Sequence, residues 1–462
     1  MKKDGEEFGV ARVTRFYVPL LLQAFSQSLT YPLVAGIVTH GELGVNALTA
    51  FSQGLMIMFM VGALGGGLVM TGMVFAKTRK GYAEFRRLNS FMMVALLALQ
   101  CVPALPPFNR WLFEGLFALS PELAAIASRT LLFGVVMNAS FFLRNVPMVV
   151  LFNHLESGKA NLATFARILL TLGCSVTFPQ VGLVGAGWGL LALTAGCVVE
   201  LLVTLAYARP FVRSLPGSEG GEHVSLLEQL RFTMPLSLGG FLLMISPLFV
   251  AAFVGRTANA ADMLAIHYVT LGVANPVAYA ALRMQAVSIE FPPVYEGDRR
   301  LLVYAVVAGA ILGVIPLVFA TPLVGDWYFG VYQNVPPRIL PTARLAIGIY
   351  SLICMIHAVR GRIEGIAAIR RQPRAVMAGQ IGYTLALFVA LAALLPFGVP
   401  GWAMAVSAIF AAPAFATAVI YFSLTINANT RERKYDIICG HEVVEGDTPG
   451  CHRLCEAVEG RV

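Results

Sequence analysis

The side chains of this sequence that could do chemistry are ionisable groups placed inside long apolar stretches. The basic members are Arg144, Arg167, His267, Arg283, Arg344, His357, Arg360 and Arg362, and the acidic members are Glu200, Glu290 and Glu364. A charge at membrane depth costs about 3 kcal/mol on insertion scales, so such groups face protein or water and indicate a functional site. The excess of guanidinium groups indicates anion binding, because arginine binds carboxylates and phosphates through paired hydrogen bonds.

Several polar residues recur at helical spacing and are therefore expected to share a helix face. The three sets are Gln23, Gln27 and Tyr31; Asn275, Tyr279 and Arg283; and His357, Arg360 and Glu364. Polar faces at membrane depth turn towards the interior of a helix bundle and away from lipid. If the three faces converge, they enclose a water-filled cavity that carries excess positive charge and attracts anions.

Within this cavity, Arg283 and Arg360 are predicted to contact the charge of a substrate. Arg144 lies in the first half of the chain at the position that corresponds to Arg360. His357 and Glu364 belong to the same predicted site. Neutral hydrogen bonds are expected from Gln23, Gln27, Asn138, Asn275 and Gln285.

Structural roles could account for some of these residues. Arginines near helix ends extend to the lipid headgroups, an alternative that applies to Arg144, Arg167, Arg344 and Arg362. Arg360 could pair with Glu364. Gln23 and Gln27 could join neighbouring helices through hydrogen bonds. The sequence leaves both kinds of role open.

The composition of the chain indicates which class of protein, and which kind of secondary structure, holds these groups in position. The 462 residues are 58% hydrophobic and 13% charged, with a mean hydropathy of +0.75. A soluble domain carries about 25% charged residues, and hydrophobicity of this degree excludes disorder. Seven cysteines in 462 residues are too sparse for a secreted disulfide framework. The sequence therefore predicts an all-α polytopic membrane protein in contact with the lipid bilayer.

Twelve apolar stretches are long enough to cross a membrane as helices, which takes about 20 residues each. The predicted spans are Phe16–Thr39, Thr49–Phe75, Ser90–Pro107, Glu122–Leu151, Ala160–Thr177, Leu183–Ala206, Phe232–Val254, Leu264–Phe291, Leu301–Leu323, Ile339–Ile363, Ala375–Leu395 and Gly401–Thr425. Lysine and arginine concentrate in alternate loops, which are cytoplasmic by the positive-inside rule. This pattern places both termini in the cytoplasm and the protein in the inner (plasma) membrane, and we see no cleavable signal peptide.

The chain contains an internal repeat. Arg15–Leu20 reads Arg-Phe-Tyr-Val-Pro-Leu and Arg231–Leu236 reads Arg-Phe-Thr-Met-Pro-Leu, at an offset of 216 residues (231 minus 15). Arg144 and Arg360 share the same offset. Two halves of six spans each keep the same orientation, which predicts a pseudo-twofold axis along the membrane normal and a binding site between two lobes. The predicted parts are a cytoplasmic N-terminus (1–15), an N-lobe (16–208), a linker (209–230), a C-lobe (231–425) and a cytoplasmic tail (426–462).

The tail carries the weak metal-ligand candidates Cys439, His441, Cys451 and Cys455. Their spacing matches no standard zinc signature, so we expect reduced thiols, no metal site and no cofactor. We find no nucleophile elbow, metalloprotease motif or phosphate-binding loop. The chain is therefore expected to be a transporter and not an enzyme, and to bind no nucleic acid. The oligomeric state stays open, with a monomer favoured.

Four short stretches resemble a known family: Arg15–Leu20, Gly72–Lys80, Val359–Gly365 and Leu395–Gly401. They are similar to the progressive ankylosis protein family, within the multidrug/oligosaccharidyl-lipid/polysaccharide (MOP) exporter superfamily that includes the MATE transporters. The resemblance implies a MATE-like fold and export of pyrophosphate, nucleotides (ATP) or citrate. Drug/cation antiporters of the superfamily place a carboxylate in the first span, where this sequence has only Gln23 and Gln27.

We therefore expect an exporter of small organic or phosphate anions, such as citrate, other dicarboxylates, pyrophosphate or nucleotides. It would work by alternating access of the two lobes around an arginine-lined cavity. Three alternatives stay open. One is multidrug efflux driven by protons or sodium, in which Glu200 would be the coupling acid. Another is a lipid-linked sugar flippase that holds a pyrophosphate with its arginines. The third is a regulator or scaffold that transports nothing and acts through the cysteines and histidines of the tail.

Overall fold

The computed structural model describes residues 9–117, 119–217, 225–294, 298–333 and 335–440, except for the side chains of residues 26–32, 45, 248, 261, 332 and 427–440. Within these ranges every regular element is helical. The α-helices are α1 (Val10–Thr39), α2 (Gly44–Ala63), α3 (Leu68–Phe75), α4 (Arg79–Cys101), α5 (Pro121–Asn153), α6 (Ser157–Gln180), α7 (Ala186–Arg213), α8 (Leu226–Val254), α9 (Ala260–Ala281), α10 (Met284–Glu290), α11 (Arg300–Val318), α12 (Pro322–Gly325), α13 (Leu340–Tyr350), α14 (Ile353–Ile369), α15 (Pro373–Leu394) and α16 (Gly401–Gly440). Two π-helical turns, Arg110–Leu116 and Asp326–Tyr332, and three short 3₁₀ turns join them.

Eleven helical segments among the described residues are long and apolar enough to cross a membrane. They correspond to the second through twelfth predicted spans. The first predicted span lies in α1, whose 30 residues measure about 45 Å at 1.5 Å per residue and exceed the thickness of a bilayer core. The all-α polytopic fold is thereby confirmed.

Three spans differ from the prediction because each consists of two helices. The second span breaks between α2 and α3 at the glycine-rich residues 64–67, and the eighth breaks between α9 and α10 at Leu282 and Arg283. The two breaks are related by the repeat offset, since Gly67 lies 216 residues before Arg283. The tenth span breaks between α13 and α14. Apolar composition predicts membrane depth, but it does not detect a change of helix axis within the same apolar run.

The glycine-rich break in the second span permits close helix packing, as its composition predicts. A Cβ atom built on Gly67 would lie 2.7 Å from the backbone oxygen of Thr233 and 2.8 Å from Cβ of Leu236 on α8. The Gly67 amide also donates to Ser237 Oγ at 3.3 Å. Only a residue without a side chain allows this approach, so Gly67 brings the N-terminal half of the chain against α8.

The helices pack in two groups that follow the internal repeat. Helices α1, α2, α5, α6 and α7 pack against one another, and so do α8, α9, α11, α14, α15 and α16. We call α1–α7 the N-lobe and α8–α16 the C-lobe. The predicted boundaries stay predictions, although α7 extends to Arg213, α8 begins at Leu226 and α16 continues to Gly440. Residues 1–8, 218–224 and 441–462 lie outside the described residues.

The two lobes meet in a seam near the helix ends that are predicted to be cytoplasmic. Tyr17 Oη on α1 donates to the Ala281 carbonyl at the end of α9 over 3.0 Å. The hydroxyls of Thr71 on α3 and Thr233 on α8 lie 2.7 Å apart and are buried. Buried hydroxyls that satisfy each other hold two surfaces together, so this seam closes one end of the space between the lobes.

Candidate functional site

A cavity of about 680 Å³ lies between the lobes, beyond the seam. Along α1 it begins at Gln23, six residues after the seam residue Tyr17, and along α8 it reaches Met244. Its polar wall consists of Gln23, Asn138, Arg144, Asn145, Arg167, Tyr279, Arg283 and Gln285. The remaining described lining is apolar or glycine, and it includes no aspartate or glutamate.

The N-lobe side of the cavity contains a buried cluster of charges around Glu200 on α7. One carboxylate oxygen of Glu200 accepts from Arg144 Nη1 at 2.6 Å and from Arg167 Nη1 at 3.0 Å. The other oxygen accepts from Thr164 Oγ1 at 2.5 Å. Arg144, Arg167 and Glu200 are 7%, 2% and 1% exposed. Because two guanidinium groups face a single carboxylate, the cluster carries one excess positive charge.

Neutral groups complete the N-lobe cluster. Gln23 donates to Thr164 Oγ1 at 3.2 Å and to Met148 Sδ at 3.4 Å. The ring of Phe141 lies under the guanidinium of Arg144, with its centroid 4.9 Å from Cζ. Arg144 Nε is buried and has no hydrogen-bond partner among the described residues. A buried donor without an acceptor is costly, so the contacts with Glu200 and Phe141 do not use the full hydrogen-bonding capacity of Arg144.

Arg283 lines the cavity from the opposite lobe. It lies in the break between α9 and α10, and Tyr279 lines the same wall one turn earlier. The helical spacing of Tyr279 and Arg283 therefore correctly places both on one wall. Asn275, the third member of that predicted set, is not part of the described lining.

Two predicted hydrogen-bonding residues are in the cavity wall and already have partners. Asn138 on α5 donates to the Met58 carbonyl at 3.1 Å and to Gln100 Oε1 at 2.6 Å. Gln285 on α10 donates to Glu364. Their roles in binding remain predictions, because both amides also stabilise contacts between helices.

The structure corrects the expectation for Arg360. Its side chain is 1% exposed and is absent from the described cavity lining. Arg360 Nε donates to Glu364 Oε1 at 2.8 Å, and Nη2 donates to Gln380 Oε1 at 2.5 Å. The C-lobe cluster thus pairs one guanidinium with one carboxylate and has no excess charge. Spacing could place Arg360 and Glu364 on one face, but it could not show that this face packs against α15.

The remaining predicted site residues lie away from the cavity or outside the description. His357 is 7% exposed, its Nδ1 lies 3.2 Å from the Ile353 carbonyl of its own helix, and it is not in the lining. Gln27 belongs to α1, but its side chain is outside the described part. The same holds for Cys439 at the end of α16. His441, Cys451 and Cys455 lie beyond the described residues.

The two clusters occupy equivalent positions of the repeat. Thr164 and Gln380 are 216 residues apart, and each hydrogen-bonds the carboxylate of its own lobe. Arg167 corresponds at the same offset to Tyr383, whose ring lies 5.3 Å from Arg360 Cζ. The repeat therefore supplies two pockets of one design, and the N-lobe pocket contains an arginine where the C-lobe pocket contains a tyrosine.

Sequence reasoning missed part of the N-lobe cluster. Arg167 was open to a headgroup role, and Glu200 entered only as the acid of an alternative function. The offset between Thr164 and Gln380 is a signal that was available in the sequence. The repeat could not predict the pairing of Glu200 with two arginines, because the second half has Ala416 at the position of Glu200. Only the packing of α7 against α5 and α6 brings Glu200 to the arginines.

With this geometry in place, the fold can be compared with solved structures. The chain shares the fold of the MATE transporters. It matches the eukaryotic MATE transporter AtDTX14 with a TM-score of 0.67 and 14% identity over 90% of this chain and 95% of the other. It matches a MOP superfamily transporter from Pyrococcus furiosus with a TM-score of 0.69, 14% identity and the same coverages of 90% and 95%. It also matches an outward-facing multidrug resistance MATE family transporter with a TM-score of 0.62 and 14% identity over 92% and 97%.

At these identities the comparisons establish the fold and leave the substrate open. No protein-family model matches the sequence, and no curated protein matches it either. For the Pyrococcus furiosus transporter, a reverse polarity of the binding pocket suggests a different function.

Proposed function

We propose that this protein is a membrane exporter of small organic or phosphate anions, of the citrate, dicarboxylate, pyrophosphate or nucleotide type. It works by alternating access of the N-lobe and the C-lobe around the cavity between them. The proposal agrees with the resemblance to the progressive ankylosis family. From the shared fold we assign the protein to the MOP exporter superfamily. From the charge of the cavity wall we infer the class of its substrate.

The observation that carries this proposal is the charge of the cavity wall. Arg144, Arg167 and Arg283 reach the cavity from both lobes, while its described lining contains no carboxylate. Arginine supplies planar, permanently charged donors that match carboxylate and phosphate geometry. The apolar remainder of the wall lowers the local dielectric and strengthens each of these contacts. A small anion therefore finds both its charge and its hydrogen bonds satisfied here.

The closed seam supports alternating access. Its contacts at Tyr17 and Thr71 join the lobes at one end of the cavity. An ion pair between Lys77 Nζ and Glu290 Oε1, at 3.7 Å, also joins the lobes at that end. These polar contacts, together with the apolar packing around them, would have to break when the lobes rock. Opening the seam would expose the cavity to the side that is predicted to be cytoplasmic.

Transport by reconstituted protein tests the proposal. Purified protein in liposomes is given radiolabelled citrate, succinate, pyrophosphate or ATP, and in a parallel arm the cations ethidium and tetraphenylphosphonium, with and without pH and sodium gradients. We expect uptake of at least one anion and of neither cation. Transport of the cations without any anion would overturn the proposal and favour multidrug efflux. Movement of a fluorescent lipid-linked pyrophosphate alone would favour a flippase.

A further inference from the structure

The carboxylate of Glu200 is placed where a substrate anion would be expected to bind. It accepts hydrogen bonds from two guanidinium groups that themselves line the cavity. Each guanidinium donates one nitrogen to the same carboxylate oxygen, so neither forms a two-pronged fork with Glu200. The carboxylate or phosphate of an incoming ligand can replace Glu200 at these arginines, because it could accept two hydrogen bonds from one guanidinium group.

We infer that Glu200 is an exchangeable counterion: an anionic substrate displaces it from Arg144 and Arg167, and Glu200 takes up a proton as it leaves them. The inference deepens the proposed function and rests on it. The substrate class it implies is an anion with at least one carboxylate or phosphate group that can reach α5 and α6. The transported unit is then the anion together with one proton, which comes from water in the cavity.

The charge balance of the cluster explains why the two events are linked. In the present state one carboxylate partly neutralises two buried guanidinium groups. When a substrate anion takes its place, Glu200 remains 1% exposed and loses the partners that stabilise its charge. A buried carboxylate without a cationic partner favours its neutral form. Binding of the anion and binding of the proton therefore promote each other, by the reciprocity that governs any two linked ligands.

Among the described residues, the cations that act on Glu200 are Arg144 and Arg167. The groups that face it or join the cluster are Arg144 on α5, Thr164 and Arg167 on α6, Gln23 on α1 and, one turn earlier on its own helix, Cys197. The sequence of α1 beyond Arg15 and that of α2 contain no Asp, Glu, Lys or Arg. The charge of Glu200 thus depends on the two arginines that the substrate is proposed to take.

The C-lobe supplies a matched control. Glu364 is also 1% exposed and also bonded to an arginine, but neither Glu364 nor Arg360 is part of the described cavity lining. Both oxygens of Glu364 are engaged, one by Arg360 and Gln380 and the other by Gln285. The pair meets the cavity only through Gln285 among the described residues, so a substrate does not compete with Glu364 for Arg360 and Glu364 keeps its charge on binding.

The test measures proton uptake during anion binding by the full-length protein in nanodiscs. Citrate is titrated calorimetrically at fixed pH in PIPES, HEPES and imidazole buffers, whose ionisation enthalpies differ, into wild type, Glu200→Gln and Glu364→Gln. We expect wild type to take up about one proton more per citrate than Glu200→Gln. We also expect Glu200→Gln to bind citrate about 10-fold more tightly, within the usual range of coupling energies. Glu364→Gln should take up the same number of protons per citrate as wild type, whatever its affinity.

Equal proton uptake by wild type and Glu200→Gln would overturn the inference, and so would loss of citrate binding in folded Glu200→Gln. The second result would mean that the Glu200 carboxylate holds the two arginines in place for the anion and does not compete with it. Failure of wild type to bind citrate, pyrophosphate or ATP would instead overturn the proposed function itself. If Glu200→Gln does not fold, infrared difference spectra of wild type decide. Pyrophosphate, which has no carboxyl group, should produce a protonated carboxyl band that persists in Glu364→Gln, and its absence would refute the inference.

Discussion

The two lobes neutralise the charge of their buried arginines to different extents. In the N-lobe, Arg144 and Arg167 share Glu200, and the cluster reaches the cavity with one excess positive charge. In the C-lobe, Glu364 pairs with a single arginine, Arg360 of the same helix, and both side chains are buried. One repeat has therefore produced a charged site in one lobe and a neutral structural pair in the other.

This difference shows that the number of arginines at membrane depth does not measure how many of them can bind a ligand. What matters is the balance of charge at each cluster and its access to water. A balanced pair contributes to the packing of its lobe, whereas an unbalanced cluster attracts a further anion. The four predictions below test this contrast between the lobes and the seam that joins them.

The largest effect on stability is expected in the C-lobe. Arg360→Met leaves the buried Glu364 carboxylate without its guanidinium, and breaking a buried pair costs about 3–5 kcal/mol. We expect a large drop in the melting temperature of the purified protein. The double variant Arg360→Met/Glu364→Met removes the whole pair and should recover most of that loss. A double variant no more stable than the single one would show that this pair is not the balanced unit described here.

A smaller loss is expected when the N-lobe is treated in the same way. Arg144→Met leaves Glu200 bonded to Arg167 and Thr164, so the remaining cluster is neutral. Loss of one hydrogen bond to a charged group costs about 2 kcal/mol. The same thermal measurement should therefore rank Arg144→Met above Arg360→Met in stability. The reverse order would contradict the difference in charge between the lobes.

The sequence predicted much of the fold because membrane helices leave a strong apolar signal. The spans from Glu122–Leu151 to Leu183–Ala206 agree with α5, α6 and α7 within seven residues at each end. The start of the third span is an exception: it was placed at Ser90, whereas α4 begins at Arg79. The first turns of α4 are polar and so give no apolar signal, although Thr78 caps them by accepting from the Gly81 amide and Glu84 pairs with Arg87.

The candidate site was less predictable from the sequence. Helical spacing correctly brought Tyr279 and Arg283 to one wall, and residue type identified Gln23 and Arg144, which line the same cavity. The burial of Arg360 was missed because it depends on Gln380, a residue of a different helix. Pairing across helices is a property of packing, and a single sequence without known contacts does not encode it in any spacing.

The seam should respond to a single methyl group. Gly67→Ala places a Cβ atom 2.7 Å from the Thr233 carbonyl oxygen, so the lobes must separate slightly, at a cost of about 1–2 kcal/mol. We expect spin labels on α3 and α8 to report a longer or broader distance distribution. Gly173→Ala on α6, where nothing lies within 4 Å of the new atom, is the matched control. An unchanged distribution in Gly67→Ala would argue against a tight seam at this point.

The smallest effect is expected at the rim of the seam. The Lys77 side chain is 41% exposed, whereas that of Glu290 is 6% exposed. Their Nζ–Oε1 distance of 3.7 Å is too long for a hydrogen bond, so we expect a contribution of about 1 kcal/mol or less. Lys77→Gln should shift the melting temperature by less than any change above, and added salt should abolish the difference from wild type. A shift as large as that of Gly67→Ala would mean that this pair, and not the close packing at Gly67, holds the lobes together.

Citrate uptake by two charge-balanced double variants tests the central claim most directly, namely that the N-lobe cluster binds the substrate anion and the C-lobe pair does not. Arg144→Met/Glu200→Met and Arg360→Met/Glu364→Met each remove one guanidinium and one carboxylate, so the net charge of the protein is unchanged. In liposomes containing equal amounts of folded protein, we expect the N-lobe variant to lose about 100-fold in uptake, about 2.7 kcal/mol, and the C-lobe variant to remain near wild type. Retained uptake in the N-lobe variant would contradict this assignment, and so would an equal loss in the C-lobe variant.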